Sequence, residues 1–256
     1  MSELEQWFAG KVTVVTGGGD GIGREISILM AKRGAKVVVT DINHEKAKET
    51  AEIINGLGLT AISVGVDVTK EEQIKTMIQQ TVAQFGRLDV AFNNAGISPK
   101  GDDVFDDKVS RLCFDVNVFG LMSCMREEIA EMLKVGGGSI VNTASLGAFI
   151  GSRTTFLHSY VASKHAVAGV TKTAALQYAR QDIRVNALCP GVVRTAMLEG
   201  IMSKSEEVAA SIRNHTPMGR IGEPKEIAEA AVWMASDKCK YMTGHCLIAD
   251  GGSYAE

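Results

Sequence analysis

The chain has 256 residues, 45% hydrophobic and 22% charged, with a formal net charge of −3. That composition fits one folded domain spanning 1–256, able to bury a sizeable core without disulfide or metal staples. A weak negative charge with no basic stripe excludes nucleic acid and anionic membrane as partners, and no apolar run reaches the ~18 residues that span a bilayer.

The start, MSELEQWFAGK, is too acidic and too poor in apolar residues for a signal peptide. Lys11–Thr16 is then a β-branched run that predicts a strand, followed at once by Gly17–Gly23 with five glycines in seven residues. Arg24–Arg33 has helical periodicity and stops at Gly34; Lys36–Thr40 is a second strand, ending in Asp41. Strand, glycine turn, helix, strand and acid make a βαβ unit of about thirty residues. The turn reads Gly17-x-x-x-Gly21-x-Gly23. Its glycines let backbone pass close to a pyrophosphate, and the helix beginning there offers free N–H groups and a positive dipole end. Asp41 stands where an acid can accept bonds from a ribose diol.

The alternation continues. His44–Leu57 predicts a helix, Ala61–Val66 a strand running to Asp67-Val68, Lys70–Phe85 a helix, and Leu88–Phe92 a strand entering Asn93-Asn94-Ala95-Gly96. Asp103–Lys134 reads as one long helix with Asn117 in its middle. Ser139–Thr143 is a strand ending in Ala144-Ser145, and the helix after it carries Tyr160 and Lys164 four residues apart, so on one face. Arg184–Leu188 is a strand leading to Cys189-Pro190-Gly191, Glu223–Ser236 a helix, and Cys246–Ala249 a last strand before Asp250-Gly251-Gly252. Strands separated by helices predict a seven-stranded, mostly parallel, doubly wound Rossmann-type α/β sheet covered on both faces. Ligands of such sheets sit beyond the strands' carboxyl ends, and Gly17, Asp41, Asp67, Asn94, Ser145 and Pro190 all fall there.

An ammonium beside a phenol stabilises the phenolate, so Tyr160 with Lys164 is a candidate general acid/base whose pKa is expected below the ordinary ~10. Ser145 is placed to hold the oxygen on which Tyr160 works. Five cysteines without a Cys-x-x-Cys pair read as buried thiols of a reducing cytoplasm, and five scattered histidines give no metal site.

These motifs together resemble the short-chain dehydrogenase/reductase family, in its branch of about 250 residues, essentially end to end. The matching residues are Thr16-Gly17 through Gly21-Ile22-Gly23, Asn93–Gly96, the set Asn117, Ser145, Tyr160 and Lys164, then Pro190-Gly191, and Thr243-Gly244 with Asp250–Gly252. The resemblance implies an NAD-dependent oxidoreductase that interconverts a secondary alcohol and its ketone, closest to members acting on cyclic alcohols and diols. It assigns catalysis to Asn117, Ser145, Tyr160 and Lys164. Asn117 is read either as holder of a water in the proton path or as a buried asparagine bonded to backbone. For cofactor binding it names Gly17, Asp20, Gly21, Ile22, Gly23, Asp41, Ile42, Asp67, Val68, Asn94, Ala95 and Gly96. Tyr160, Lys164, Pro190, Gly191, Val193 and Thr195 complete that set. Asp67 has the alternative of capping the next helix.

Ser145, Ile97, Leu146, Tyr160 and Gly191 are the expected substrate contacts, with Phe149, Phe156 and Thr195–Met202 shaping an apolar pocket. Arg153 and Arg194 are its nearest arginines. The interval from Ser145 to Tyr160 is longer than is usual in the family, and Gly101–Val109 is unusually acidic. NAD is expected over NADP. A 2′-phosphate would meet Asp41, and no cation stands in the turn (Gly18, Gly19, Asp20) or just after the strand (Ile42, Asn43); Arg24 and Lys46 lie inside their helices. The family also implies a homotetramer, with candidate faces Val104–Met132, Tyr160–Tyr178 and Cys246–Tyr254. The alternatives are a carrier-protein 3-oxoacyl reductase, a hydroxysteroid dehydrogenase, or a non-catalytic dinucleotide-binding regulator.

Overall fold

Seven short β-branched runs form the centre of the molecule, a computed structural model that describes residues 5–98, 107–151, 157–195 and 216–255, with single positions 198, 206 and 210. The strands are Val12–Thr16 (β1), Lys36–Asp41 (β2), Ala61–Gly65 (β3), Val90–Asn93 (β4), Gly138–Thr143 (β5), Ile183–Pro190 (β6) and Cys246–Ala249 (β7). They make one sheet in the order β3-β2-β1-β4-β5-β6-β7, with every neighbouring pair parallel. The helices are Gly21–Lys32 (α1), His44–Gly56 (α2), Glu71–Phe85 (α3), Asp107–Phe114 (α4), Leu121–Lys134 (α5), His158–Tyr178 (α6) and Pro224–Ala235 (α7). None is long and apolar enough to cross a membrane among the described residues.

Side chains alternate between two cores, one on each face, as a pleated strand requires. Val14, Val38, Ala91, Ile140 and Val185 pack with α3, α5 and α6; Val15, Val37, Val39, Phe92 and Leu188 pack with α1, α2 and α7. Both faces being covered explains why the strands read as continuous apolar runs. The order reverses at β1 and β4, whose chain leaves in opposite directions along the sheet, and this opens a crevice at their carboxyl ends.

Two local features depart from the sequence expectation. The long helix is interrupted: a π turn at Asp115–Gly120 separates α4 from α5. Within it Asn117 turns its amide onto the backbone of Ile97, and Gly120 lies so close to β3's exit that a Cβ there would stand 2.8 Å from the Val68 carbonyl oxygen. The wider turn accommodates both contacts. Asp67 does not cap α3; its Oδ1 accepts from the Thr69 amide at 2.9 Å and hydroxyl at 2.8 Å, while Lys70 takes the cap position. Residues 101–106 of the acidic segment, residues 152–156 of the loop 147–158 (with Arg153 and Phe156) and most of Thr195–Met202 lie outside the described residues.

Beneath the crevice runs a fully buried polar chain. The Asn93 amide donates to Glu128 Oε2 at 2.9 Å and to Asn142 Oδ1 at 3.1 Å, and Asn142 donates to Thr171 Oγ1 at 2.9 Å. Glu128 Oε1 and Asn93 Oδ1 are left without a partner, and burial pushes the Glu128 carboxyl up to about 7.

Candidate active site

The crevice is a cleft of about 380 Å³ lined by the tips of β1, β2, β4, β5 and β6 and by the first turns of α1 and α6. Its floor is the glycine turn. Gly17 has a φ of 62°, which a side chain resists. A Cβ on Gly23 would collide with the Gly17 carbonyl and stand 2.6 Å from Asn94 Nδ2, so α1 can start this close to β1 only through glycine. Asp20 caps α1, its Oδ1 accepting from the Gly21 amide at 2.7 Å. The helix therefore begins at Gly21, three residues before the predicted start. Asn94 donates to the carbonyls of Thr16 (3.3 Å) and Gly17 (3.1 Å) and accepts from Thr143 Oγ1, tying three strand tips together.

At the β2 end of the cleft, Asp41 accepts from the Gly19 amide at 3.1 Å and the Asn43 amide at 2.9 Å, which fixes its carboxylate at the cleft wall. Lys46, set aside in the sequence as lying within a helix, reaches back instead. The first turn of α2 packs on Gly19 and brings the ammonium to 2.6 Å from Asp20 Oδ2. Ile42 is 75% exposed, outside the cleft lining.

At the other end α6 presents Tyr160 and Lys164. Lys164, buried, donates from Nζ to the Thr143 carbonyl at 2.8 Å, and its Nζ is 5.5 Å from the Tyr160 ring centroid. The Tyr160 phenol is hydrogen-bonded to the Ser145 side chain, and Ser145 Oγ also accepts from the Gly147 amide at 3.1 Å. Burial pushes the phenol above its ordinary value, and the Ser145 bond opposes this more weakly. Burial also drives the Lys164 ammonium down to about 8. The direction at Tyr160 is opposite to the sequence expectation, because the cost of burying the phenolate outweighs the favourable contact with Ser145.

Asn117 is buried and its side chain is fully engaged. Oδ1 accepts from the Ile97 amide at 2.8 Å, and Nδ2 donates to the Ile97 carbonyl at 2.9 Å and to Ser163 Oγ at 3.1 Å. Ser163 donates in turn to the Tyr160 carbonyl at 2.7 Å, so Asn117 braces the helix that carries the phenol. The bonds to Ile97 are those of the backbone-bonded alternative, and the side-chain bonds to Ser163 and Cys113 go beyond it.

Of the predicted residues, Gly17, Asp20, Gly21, Ile22, Asp41, Asn94, Ala95, Gly96 and Ile97 line the cleft on one side. Ser145, Tyr160, Lys164, Pro190, Gly191, Val193 and Thr195 line the other. Gly23, Asp67, Val68, Asn117 and Leu146 do not line it; Val68 packs in the core. Ser98, Thr143 and Ala144 line it unforeseen. Thr143 meets Lys164 through its carbonyl, which no side-chain signal reports. Among the described residues no cluster of acids, histidines and cysteines could hold a metal.

The residues fit a dinucleotide. Backbone N–H groups and a helix N-terminus sit over a floor without side chains, a carboxylate stands at the ribose end, and a phenol, hydroxyl and ammonium meet at the far end.

Residues 17–254 match a family profile described as enoyl-(acyl carrier protein) reductase. The chain is 42% identical to a 2,5-dichloro-2,5-cyclohexadiene-1,4-diol dehydrogenase of Sphingobium indicum, over 98% of each sequence. A cyclohexanol dehydrogenase of an Acinetobacter species is 37% identical over 95% of each. Among solved structures, a 7α-hydroxysteroid dehydrogenase complexed with NADH and 7-oxo-glycochenodeoxycholic acid superposes with a TM-score of 0.91 at 31% identity, covering 97% of this chain and 96% of that one.

Proposed function

The chain belongs to the short-chain dehydrogenase/reductase family, and from that premise we propose that it interconverts a cyclic or apolar secondary alcohol and its ketone with NAD. The observation that carries this reading is that Ser145, Tyr160 and Lys164 share one cleft with the glycine turn and Asp41. When bound, NAD supplies the acceptor for the carbinol hydride.

The chain's own part is to bind, orient and move a proton. Tyr160 takes the hydroxyl proton at its phenolic oxygen, or gives it back in ketone reduction. Ser145 holds the same substrate oxygen and so fixes the carbon in reach. Lys164, between the Thr143 carbonyl and the phenol, stabilises the phenolate and holds the nicotinamide ribose. Asn117 keeps α6 and the turn at Ile97 in register. Asp41 accepts the adenosine ribose hydroxyls and disfavours a 2′-phosphate there. The two cyclic-alcohol relatives support the substrate class, and the likeness to the hydroxysteroid enzyme supports a second reading, a fused-ring alcohol. One domain spanning 1–256, in a cytoplasmic homotetramer, completes the proposal.

A panel of monocyclic, fused-ring and aliphatic secondary alcohols, followed by nicotinamide reduction, tests it. Turnover of cyclic alcohols is expected, with kcat/KM for NAD exceeding that for NADP by about 10²–10⁴-fold. Equal kcat/KM for the two cofactors would remove the role given to Asp41, and no turnover with any alcohol would sink the substrate class. Asp41→Ala with Ile42→Arg should shrink or reverse the preference.

A further inference from the structure

We propose that Lys46 governs how tightly and how selectively this cleft holds a dinucleotide, by neutralising Asp20 at its mouth. The proposal rests on the dinucleotide reading above. Asp20 lines the cleft and occupies the N-terminus of α1, the place where a pyrophosphate would meet free N–H groups. An uncompensated carboxylate there opposes the anion that the turn is built to receive.

Lys46 removes that opposition. Its Nζ lies 2.6 Å from Asp20 Oδ2, and its Cβ region packs so closely on Gly19 that a Cβ on that glycine would stand 2.8 Å away. The mutual bond holds the Asp20 carboxyl below its ordinary value and the Lys46 ammonium above. Arg24, the other nearby cation, adds a weaker attraction to Asp20 but makes its hydrogen bonds elsewhere. Its Nε donates to the Gly19 carbonyl at 2.9 Å and to Thr50 Oγ1 at 3.1 Å, and Nη2 pairs with Glu49 at 3.2 Å. Asp41 is set by two backbone amides, so its position does not depend on Lys46.

A purely structural purpose explains the pair poorly. The two side chains are 46% and 44% exposed, and ion pairs that open to water contribute little to folding. The charge they cancel nevertheless lies against the cofactor's most anionic part. The same ammonium also attracts Asp41, so Lys46 offsets part of the repulsion that Asp41 offers a 2′-phosphate.

The test is direct titration of NADH and NADPH, read by fluorescence, into wild type, Lys46→Gln, Asp20→Asn and the double variant at low and high salt. Lys46→Gln should weaken NADH about three- to tenfold at low salt, the size of one partly screened charge, and weaken NADPH more. Asp20→Asn, whose amide still caps α1, should leave Lys46 unpaired and narrow the gap between the two dinucleotides. The double variant should regain most of the NADH affinity, and the losses should shrink in high salt. Binding of both dinucleotides within twofold of wild type by Lys46→Gln would overturn the proposal. So would a loss that salt does not reduce and Asp20→Asn does not rescue, since that would report lost packing. A wild type that binds neither dinucleotide would instead overturn the cofactor reading, and this inference with it.

Discussion

At Tyr160 the proposed chemistry depends on one hydroxyl. Tyr160→Phe is expected to keep the fold and NADH affinity while turnover falls about 10²–10⁴-fold; near-wild-type kcat would take the proton from Tyr160 and give it to another group. Glu128 offers a second test, away from the reaction. Protonation makes its orphan Oε1 a donor, and Asn93 Oδ1 on the same acid–amide pair is an acceptor without a partner. Folding raises this carboxyl from 4.5 to about 7, so the folded state holds the proton that the unfolded chain releases first. The stabilisation is therefore full below about pH 4.5, declines as pH rises, and is gone above about 7. Glu128→Gln carries a donor at every pH. Urea midpoints should show its stability relative to wild type growing by about 2–3 kcal/mol from pH 5 to pH 8, whereas a gap independent of pH would mean that folding does not raise the Glu128 pKa into this range. At this scale, the side chains proposed for chemistry were legible in sequence as cleft residues: Ser145, Tyr160, Lys164 and Asp41 all reach the cleft. The Thr143 carbonyl and the reach of Lys46 were not, because one is backbone and the other depends on how two helices pack.

The seven strands were readable as elements because continuous β-branched runs bounded by glycine and polar turns suit strands buried on both faces. Helix ends were less so, since caps such as Asp20 draw the start forward. The π turn was invisible. Its cause is a pair of contacts with residues far away in sequence, Asn117 on Ile97 and Gly120 against Val68, which periodicity within one helix cannot report. Gly120→Ala tests that origin. Its backbone is ordinarily helical, with φ −60°, but the new methyl would meet Val68 at 2.8–2.9 Å. A loss of about 1–3 kcal/mol in denaturant titration is expected from overpacking; a gain, as alanine gives in an open helix, would show that β3's exit yields freely.

For the whole molecule, the outer surfaces of α4, the π turn, α5 and α6 carry exposed Leu112, Phe119, Met122 and Leu176, the last 84% exposed. Apolar surface of that kind on helices suits burial against further copies. Light scattering at micromolar concentration is expected to give about four times the 27.3 kDa chain mass; a monomer would refute the tetramer. The strand order has a consequence during synthesis. β1 pairs with β2 soon after both leave the ribosome, but its other edge waits for β4, whose Val90 lies opposite Thr13. At about 5–20 residues per second, that edge stays open for roughly 4–15 s. Val12–Thr16 is buried throughout in the finished sheet, so the nascent chain displays an apolar strand with one edge unpaired for that interval. Slow decoding between β3 and β4 would lengthen this exposure, and chaperone occupancy of the nascent chain should peak there and fall once Asn93 has emerged.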